Sequence, residues 1–142
     1  MINELEQIKQ KILKEYEASG LPVIYEETYC DEMMLPMSDG AALKTYIFRG
    51  CKDGAVPVIL QRSPYAHALE IYKLHGRELA KRGFGVVLQF CRGTGESEGE
   101  GNPNVNERKD GIDTLQWLCA LPWVKNVGYW GGSYLASSDS FS

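Results

Sequence analysis

The chain has 142 residues, 44% of them hydrophobic and 24% charged, with a formal net charge of −4. That composition is enough for one packed domain or part of a larger one. The absence of a basic stripe argues against a nucleic-acid partner, and the lack of any apolar run of about 18 residues argues against a membrane span.

Ile2, Leu5, Ile8, Ile12 and Tyr16 recur at three- and four-residue steps with charges between them. This predicts an amphipathic helix, stopped by Gly20 and Pro22, within a first unit of residues 1–22. It packs on the rest of the chain or binds a partner. Glu4, Glu6, Lys9, Lys11 and Lys14 interrupt its apolar residues, unlike a secretory signal. The second unit, 23–142, begins with a run from 23 to 29 that is β-branched enough for a strand. Met37-Ser38-Asp39-Gly40 has turn chemistry, and the stretch from 43 to 48 alternates, so the two runs are expected to pair antiparallel. Gly50 and Gly54 bound another turn. Val56-Pro57-Val58-Ile59-Leu60 then reads as a strand buried on both faces, with its proline near the start, where a missing N–H costs least.

Arg62-Ser63-Pro64-Tyr65 reads as the loop that follows. A helix is expected from 68 to 82, closed by Gly83, then a second buried strand from 85 to 90. A long loop rich in Gly and Glu leads to a helix capped by Asn106, with Glu107 and Asp110 in its first turn. Ile112, Leu115, Leu118 and Cys119 are its apolar stripe, and Pro122 ends it. The last run, Val127-Gly128-Tyr129-Trp130, leads into Gly131-Gly132-Ser133-Tyr134. Apolar strands alternating with helices imply parallel pairing, and ligands of such sheets bind at the carboxyl ends of the strands. Tyr65, Arg92 and Ser133 each follow a strand and could share that rim. The four cysteines, Cys30, Cys51, Cys91 and Cys119, are far apart in sequence. They read as small apolar side chains in a reducing cytoplasm rather than as a zinc site.

Two serines compete as nucleophile. Gly95-Glu96-Ser97-Glu98-Gly99 completes a G-x-S-x-G pattern, whereas Leu135 replaces the last glycine after Ser133. G-x-S alone occurs by chance at about one position in 200, so context decides. Ser97 lies between two glutamates that would oppose an oxyanion. Ser133 follows a strand and precedes small residues, as on a tight strand-to-helix turn that presents a hydroxyl and the next residue's N–H, that of Tyr134. The plainer role for Ser133 is a helix cap, and for Ser97 a turn residue.

These residues resemble a family, the CocE/NonD hydrolases related to X-prolyl dipeptidyl peptidases. Met37-Ser38-Asp39-Gly40 with Leu43 is similar to its M-x-D-G-x-x-L, and Arg62-Ser63-Pro64-Tyr65 to its R-T-P-Y. The stretch from Arg92 to Gly99 is similar to its R-G-x-G-x-S-x-G. Glu107, Asp110-Gly111-Ile112-Asp113-Thr114, Trp117-Leu118 and Pro122-Trp123 follow in the family's order, and then the Ser133 turn. Phe90 stands where the family commonly has Asp, and Leu135 where it has a small residue.

The resemblance implies the N-terminal part of an α/β-hydrolase fold: a mostly parallel sheet with an antiparallel lead-in and flanking helices, preceded by the amphipathic helix. It implies Ser133 as nucleophile, the Tyr65 hydroxyl and the Tyr134 backbone N–H as oxyanion hole, and a structural role for Ser97. The expected substrate is a small acyl ester, amide or X-Pro peptide, with no cofactor or metal. In this fold the acid and the histidine follow the nucleophile. Here only Asp139 does so, while His67 and His75 precede it. The chain is therefore expected to be a partial hydrolase ending just after the elbow, weak alone, and to oligomerise or be completed by a second chain. Two other readings stay open: a non-catalytic interaction domain, and a nucleotide-binding module using Gly93 and Gly95. The latter lacks the third glycine of G-x-G-x-x-G, where Glu98 stands.

Overall fold

A computed structural model describes residues 3–99 and 103–129. The N-terminal helix α1, Glu4–Ala18, is capped by Asn3, whose side-chain oxygen accepts the Glu6 N–H at 2.8 Å. Only Ile12 of α1 is buried. The helix lies on α2, Leu69–Lys81, where the Tyr16 hydroxyl meets His75 Nδ1 at 2.7 Å and the Arg82 guanidinium sits 5.1 Å from the Tyr16 ring.

Among the described residues five strands form one sheet: β1 Tyr29–Pro36, β2 Ala42–Arg49, β3 Val56–Ser63, β4 Gly85–Phe90 and β5 Val124–Tyr129, in the order β1-β2-β4-β3-β5. The pairs β1–β2 and β2–β4 are antiparallel, while β3–β4 and β3–β5 are parallel. The expected antiparallel lead-in to a parallel sheet is present. Its first strand, however, is not residues 23–29. Residues 23–28 form no strand, Tyr29 alone of that run opening β1, and the N–H groups of Ile24 and Tyr25 instead bond the Lys81 carbonyl at 2.8 and 2.9 Å. They thereby satisfy a helix-end acceptor that has no partner inside α2. The true β1 carries Asp31 and Glu32 and is mostly exposed, as suits an edge strand, so its sequence lacks a buried strand's apolar signature.

Two further boundaries differ from expectation. Strand β3 runs on through Arg62 and Ser63, and α3, Pro103–Cys119, already includes Pro103, so Asn106 lies inside the helix rather than at its cap. Proline suits a first turn, where its fixed φ is helical and its missing N–H is no loss. Pro57 lies at an irregularity in the β3–β5 register, where a missing ladder donor is tolerated.

The period of two in β2 and β4 divides the core between the sheet's faces. Tyr46, Phe48, Val86, Leu88 and Phe90 pack with Ala80 of α2, and Leu69, Tyr72 and Leu79 lie against them. Ile47, Val87, Val58 and Leu60 pack with Leu118 of α3. Each such buried side chain contributes about 1.5–3 kcal/mol. All six residues of β4 are buried, which makes it the strand both layers share. Gly83 ends α2 at φ 95°, its N–H bonding Ala80 O and the Phe84 N–H bonding Leu79 O, the pattern of a Schellman cap.

Candidate active site

The parallel strands bring their carboxyl ends to one rim. Ser63, the last residue of β3, pairs with Phe90, the last of β4; on the other side Leu60 of β3 pairs with Tyr129, the last of β5. Among the described residues two loops leave from there, and the first carries Tyr65. Its N–H donates to Ser63 Oγ at 3.0 Å, and its carbonyl accepts the Ala68 N–H at 3.0 Å. Tyr65 is 43% exposed, with the His67 ring edge-on to its own at 5.9 Å between centroids. In many hydrolases a backbone N–H of this loop helps bind the oxyanion. The Tyr65 N–H is already taken, so the donor this residue can offer is its hydroxyl.

The second loop, after β4, folds onto the sheet. Cys91 N–H bonds the Ser63 carbonyl at 3.0 Å, joining the two loops. Gly93 and Gly95 have φ of 69° and 57°, a region that favours glycine. A Cβ on Gly95 would also lie 3.0 Å from the Phe90 ring. The N–H groups of Gly93, Thr94, Ser97 and Glu98 bond carbonyls of Glu98, Cys91, Thr94 and Ala42. Donors so committed do not form a phosphate cradle. Ser97 Oγ donates to Phe90 O and accepts the Lys44 N–H, both at 2.8 Å, and Glu98 Oε1 accepts the Ala42 N–H at 3.0 Å. Ser97 is thus a tie between loop and sheet.

Arg92 follows β4 but is buried and turned to acids. It forms a bidentate pair with Asp110 at 2.6 and 2.9 Å and reaches Asp39 at 2.7 Å. Hydrogen bonds to Asp110 first and Asp39 second hold the guanidinium even more firmly protonated than usual. In return, the Arg92 hydrogen bond, helped by the Ala41 N–H, holds the Asp39 carboxyl down at about 2. Next to it, burial raises the affinity of Asp113 for a proton, but the Ser38 N–H and hydroxyl and Lys109 together carry it below the usual range.

Beneath the rim runs a polar seam that periodicity does not reveal. Arg62 of β3 donates from Nε to Gln89 Oε1 at 2.7 Å and pairs with Glu107 of α3. Gln89 Nε2 donates to Thr45 at 3.2 Å, and Thr114 Oγ1 approaches Gln89 Oε1 at 2.8 Å. Arg62, Gln89, Thr45 and Thr114 are 0–1% exposed. Buried groups hydrogen-bonded to one another in this way favour one arrangement, because a slip would break several bonds at once. Glu107 and Asp110, expected to favour the helix dipole, are thus the acids that lock α3 onto β3 and β4.

The expectations for Ser133 and Tyr134 lie outside the described residues, as does Asp139. His67 is on the rim, while His75 is not, being engaged with Tyr16. Of the four cysteines, read as small apolar residues, Cys91 is buried but Cys30 and Cys119 are exposed, and none is in a disulfide. Among the described residues no cluster of three metal-ligating side chains occurs, and no helix is long and apolar enough to cross a membrane.

The model of the X-Pro dipeptidyl-peptidase (S15) family matches residues 39–140, which include Asp39, Tyr65, Arg92, Ser97 and Asp110. Over 108 residues the chain is 40% identical to the cocaine esterase of Rhodococcus sp. (strain MB1 Bresler), covering 72% of this chain and 19% of the esterase. A CocE/NonD family hydrolase from Staphylococcus aureus superposes with a TM-score of 0.65 at 22% identity, over 80% of this chain and 24% of its own. An alpha/beta hydrolase from Penicillium sp. sh18 does so at 0.60 and 19% identity, over 82% of this chain and 42% of its own. These likenesses show the α/β-hydrolase fold, of which the chain spans a minor share of each relative's length. The chain belongs to the X-Pro dipeptidyl-peptidase (S15) family.

Proposed function

We propose that this chain supplies the nucleophile and the oxyanion hole of a serine acyl hydrolase. Ser133 is the nucleophile, and the Tyr65 hydroxyl and Tyr134 N–H are the donors. The observation that carries the reading is the exposed phenol of Tyr65 beside the end of β3, its own N–H engaged by Ser63. In the reaction the Ser133 hydroxyl adds to the substrate carbonyl as its proton passes to a base. The carbonyl oxygen becomes an oxyanion facing the two donors, and collapse expels the alcohol or amine, which takes the proton. Water then releases the acid from the acyl-enzyme by the same steps. Each donor contributes only as charge develops, so losing one costs about 10²–10³ in rate.

The cocaine esterase and the peptidase family both point to carbonyl substrates, so the class is a small acyl ester, amide or X-Pro peptide. No histidine follows Ser133 in these 142 residues, so a base in the chain order usual for this fold is not among them. Among the described residues β5 ends the sheet, and a further strand or a second chain would add there. Locating a fluorophosphonate label in the polypeptide at its full gene-encoded length tests the assignment. Label on Ser133, lost in Ser133→Ala, kept in Ser97→Ala and slowed about 10²–10³-fold in Tyr65→Phe, is expected; label on Ser97, or none on the folded protein, overturns it.

A further inference from the structure

Ser63 is 3% exposed and ends β3, and its hydroxyl takes no part in the sheet's backbone ladder. It accepts the Tyr65 N–H at 3.0 Å and lies 2.8 Å from the Tyr72 hydroxyl. Its carbonyl is held separately by the Cys91 N–H. Between Ser63 and Tyr65 stands Pro64, which has no N–H to give, so the first donor past the strand is that of Tyr65. Tyr72 reaches across from α2, its ring tilted at 48° against Phe90 with centroids 6.4 Å apart. Helix, strand end and turn therefore meet at one hydroxyl.

The geometry points to Ser63, braced by Tyr72, as the positioning residue for the Tyr65 phenol. The inference rests on the reading of Tyr65 as an oxyanion donor. With its N–H on Ser63 and its carbonyl on Ala68, the Tyr65 backbone is pinned on both sides, which fixes the direction in which its side chain leaves. The His67 ring then borders the ring's remaining rotation. An aim set this way matters because a displacement of about 1 Å in a catalytic group can cost about 10² in rate.

A brace and a mere turn closure differ in how they couple to Tyr65. Nuclear magnetic resonance on the 142-residue chain reads the first consequence directly. Ser63→Ala is expected to speed Tyr65 amide exchange at least about tenfold and abolish Tyr65–His67 ring contacts. Ser63→Thr, which keeps the hydroxyl, restores both. Tyr72→Phe loosens the ring contacts while the melting temperature changes little. In the full-length polypeptide, Ser63→Ala is expected to slow Ser133 labelling by about 10–100-fold, with recovery in Ser63→Thr and no further slowing when added to Tyr65→Phe. Unchanged ring contacts in Ser63→Ala, or an equal slowing in the Tyr65→Phe background, overturns the brace. A Tyr65→Phe variant that labels at the wild-type rate overturns the oxyanion reading alone, and the ring contacts then decide the brace by themselves.

Discussion

At the scale of single residues, the acid–base–acid clamp of Asp39, Arg92 and Asp110 shows how far a side chain's role depends on partners distant in sequence. Position after a strand suggested a rim residue, but two carboxylates hold Arg92 below the rim. Tyr65 is the opposite case: Pro64 beside a strand end marks the turn, and bonds to Ser63 and Ala68, two or three residues away, hold its backbone. Breaking the clamp by Arg92→Ala leaves Asp110, 1% exposed, charged and without its partner. We expect about 3–5 kcal/mol of destabilisation, read as a lower urea midpoint. The clamp also sets an acid dependence. Asp39 is lowered from the ordinary 3.8 to about 2, so its contribution is complete above about pH 4 and is lost as the pH falls toward 2. Asp39→Asn should therefore be less stable than wild type near neutrality, and the two urea midpoints should converge only as the pH falls to about 2.

At the scale of elements, packing overrides local preference in both directions. Residues 23–28 have strand chemistry but border a helix end rather than a strand edge, so the donors of Ile24 and Tyr25 go to Lys81. Gly76 lies inside α2, where alanine would ordinarily be favoured by about 1 kcal/mol. A Cβ there would stand 2.6 Å from Phe48 Cδ2. Gly76→Ala is thus expected to lower stability by about 1–3 kcal/mol in thermal melts, the reverse of the propensity argument. The contact between α1 and α2 has its own pH signature. Burial lowers the proton affinity of His75, with Glu15 opposing and the Arg82 cation close to Tyr16, while burial lifts the Tyr16 hydroxyl to about 12. Neutral His75 is the form that docks. The helix should therefore be held fully above the ordinary histidine range and released progressively as the pH drops below about 6.5. Amide exchange in α1 at pH 7.5 and 5.0 checks this, with His75→Gln expected to flatten the difference.

At the scale of the whole molecule, stability rests on a sheet covered on both faces, with Leu118 of α3, 0% exposed, set against Val58, Leu60 and Val87. Leu118→Ala should cost about 2–5 kcal/mol and lower the melting temperature without changing the secondary-structure signal. Strand–helix alternation, the apolar runs of β3 and β4, the Gly83 stop and the candidate motifs could all be read from the residues alone, because each depends on neighbours a few positions away. The identity of β1, the strand order, the partners of Arg62 and Arg92 and the tie made by Ser97 were decided only by tertiary structure. Each of those joins groups far apart along the chain, and a buried charge or donor accepts whichever partner the packed sheet brings within hydrogen-bond reach.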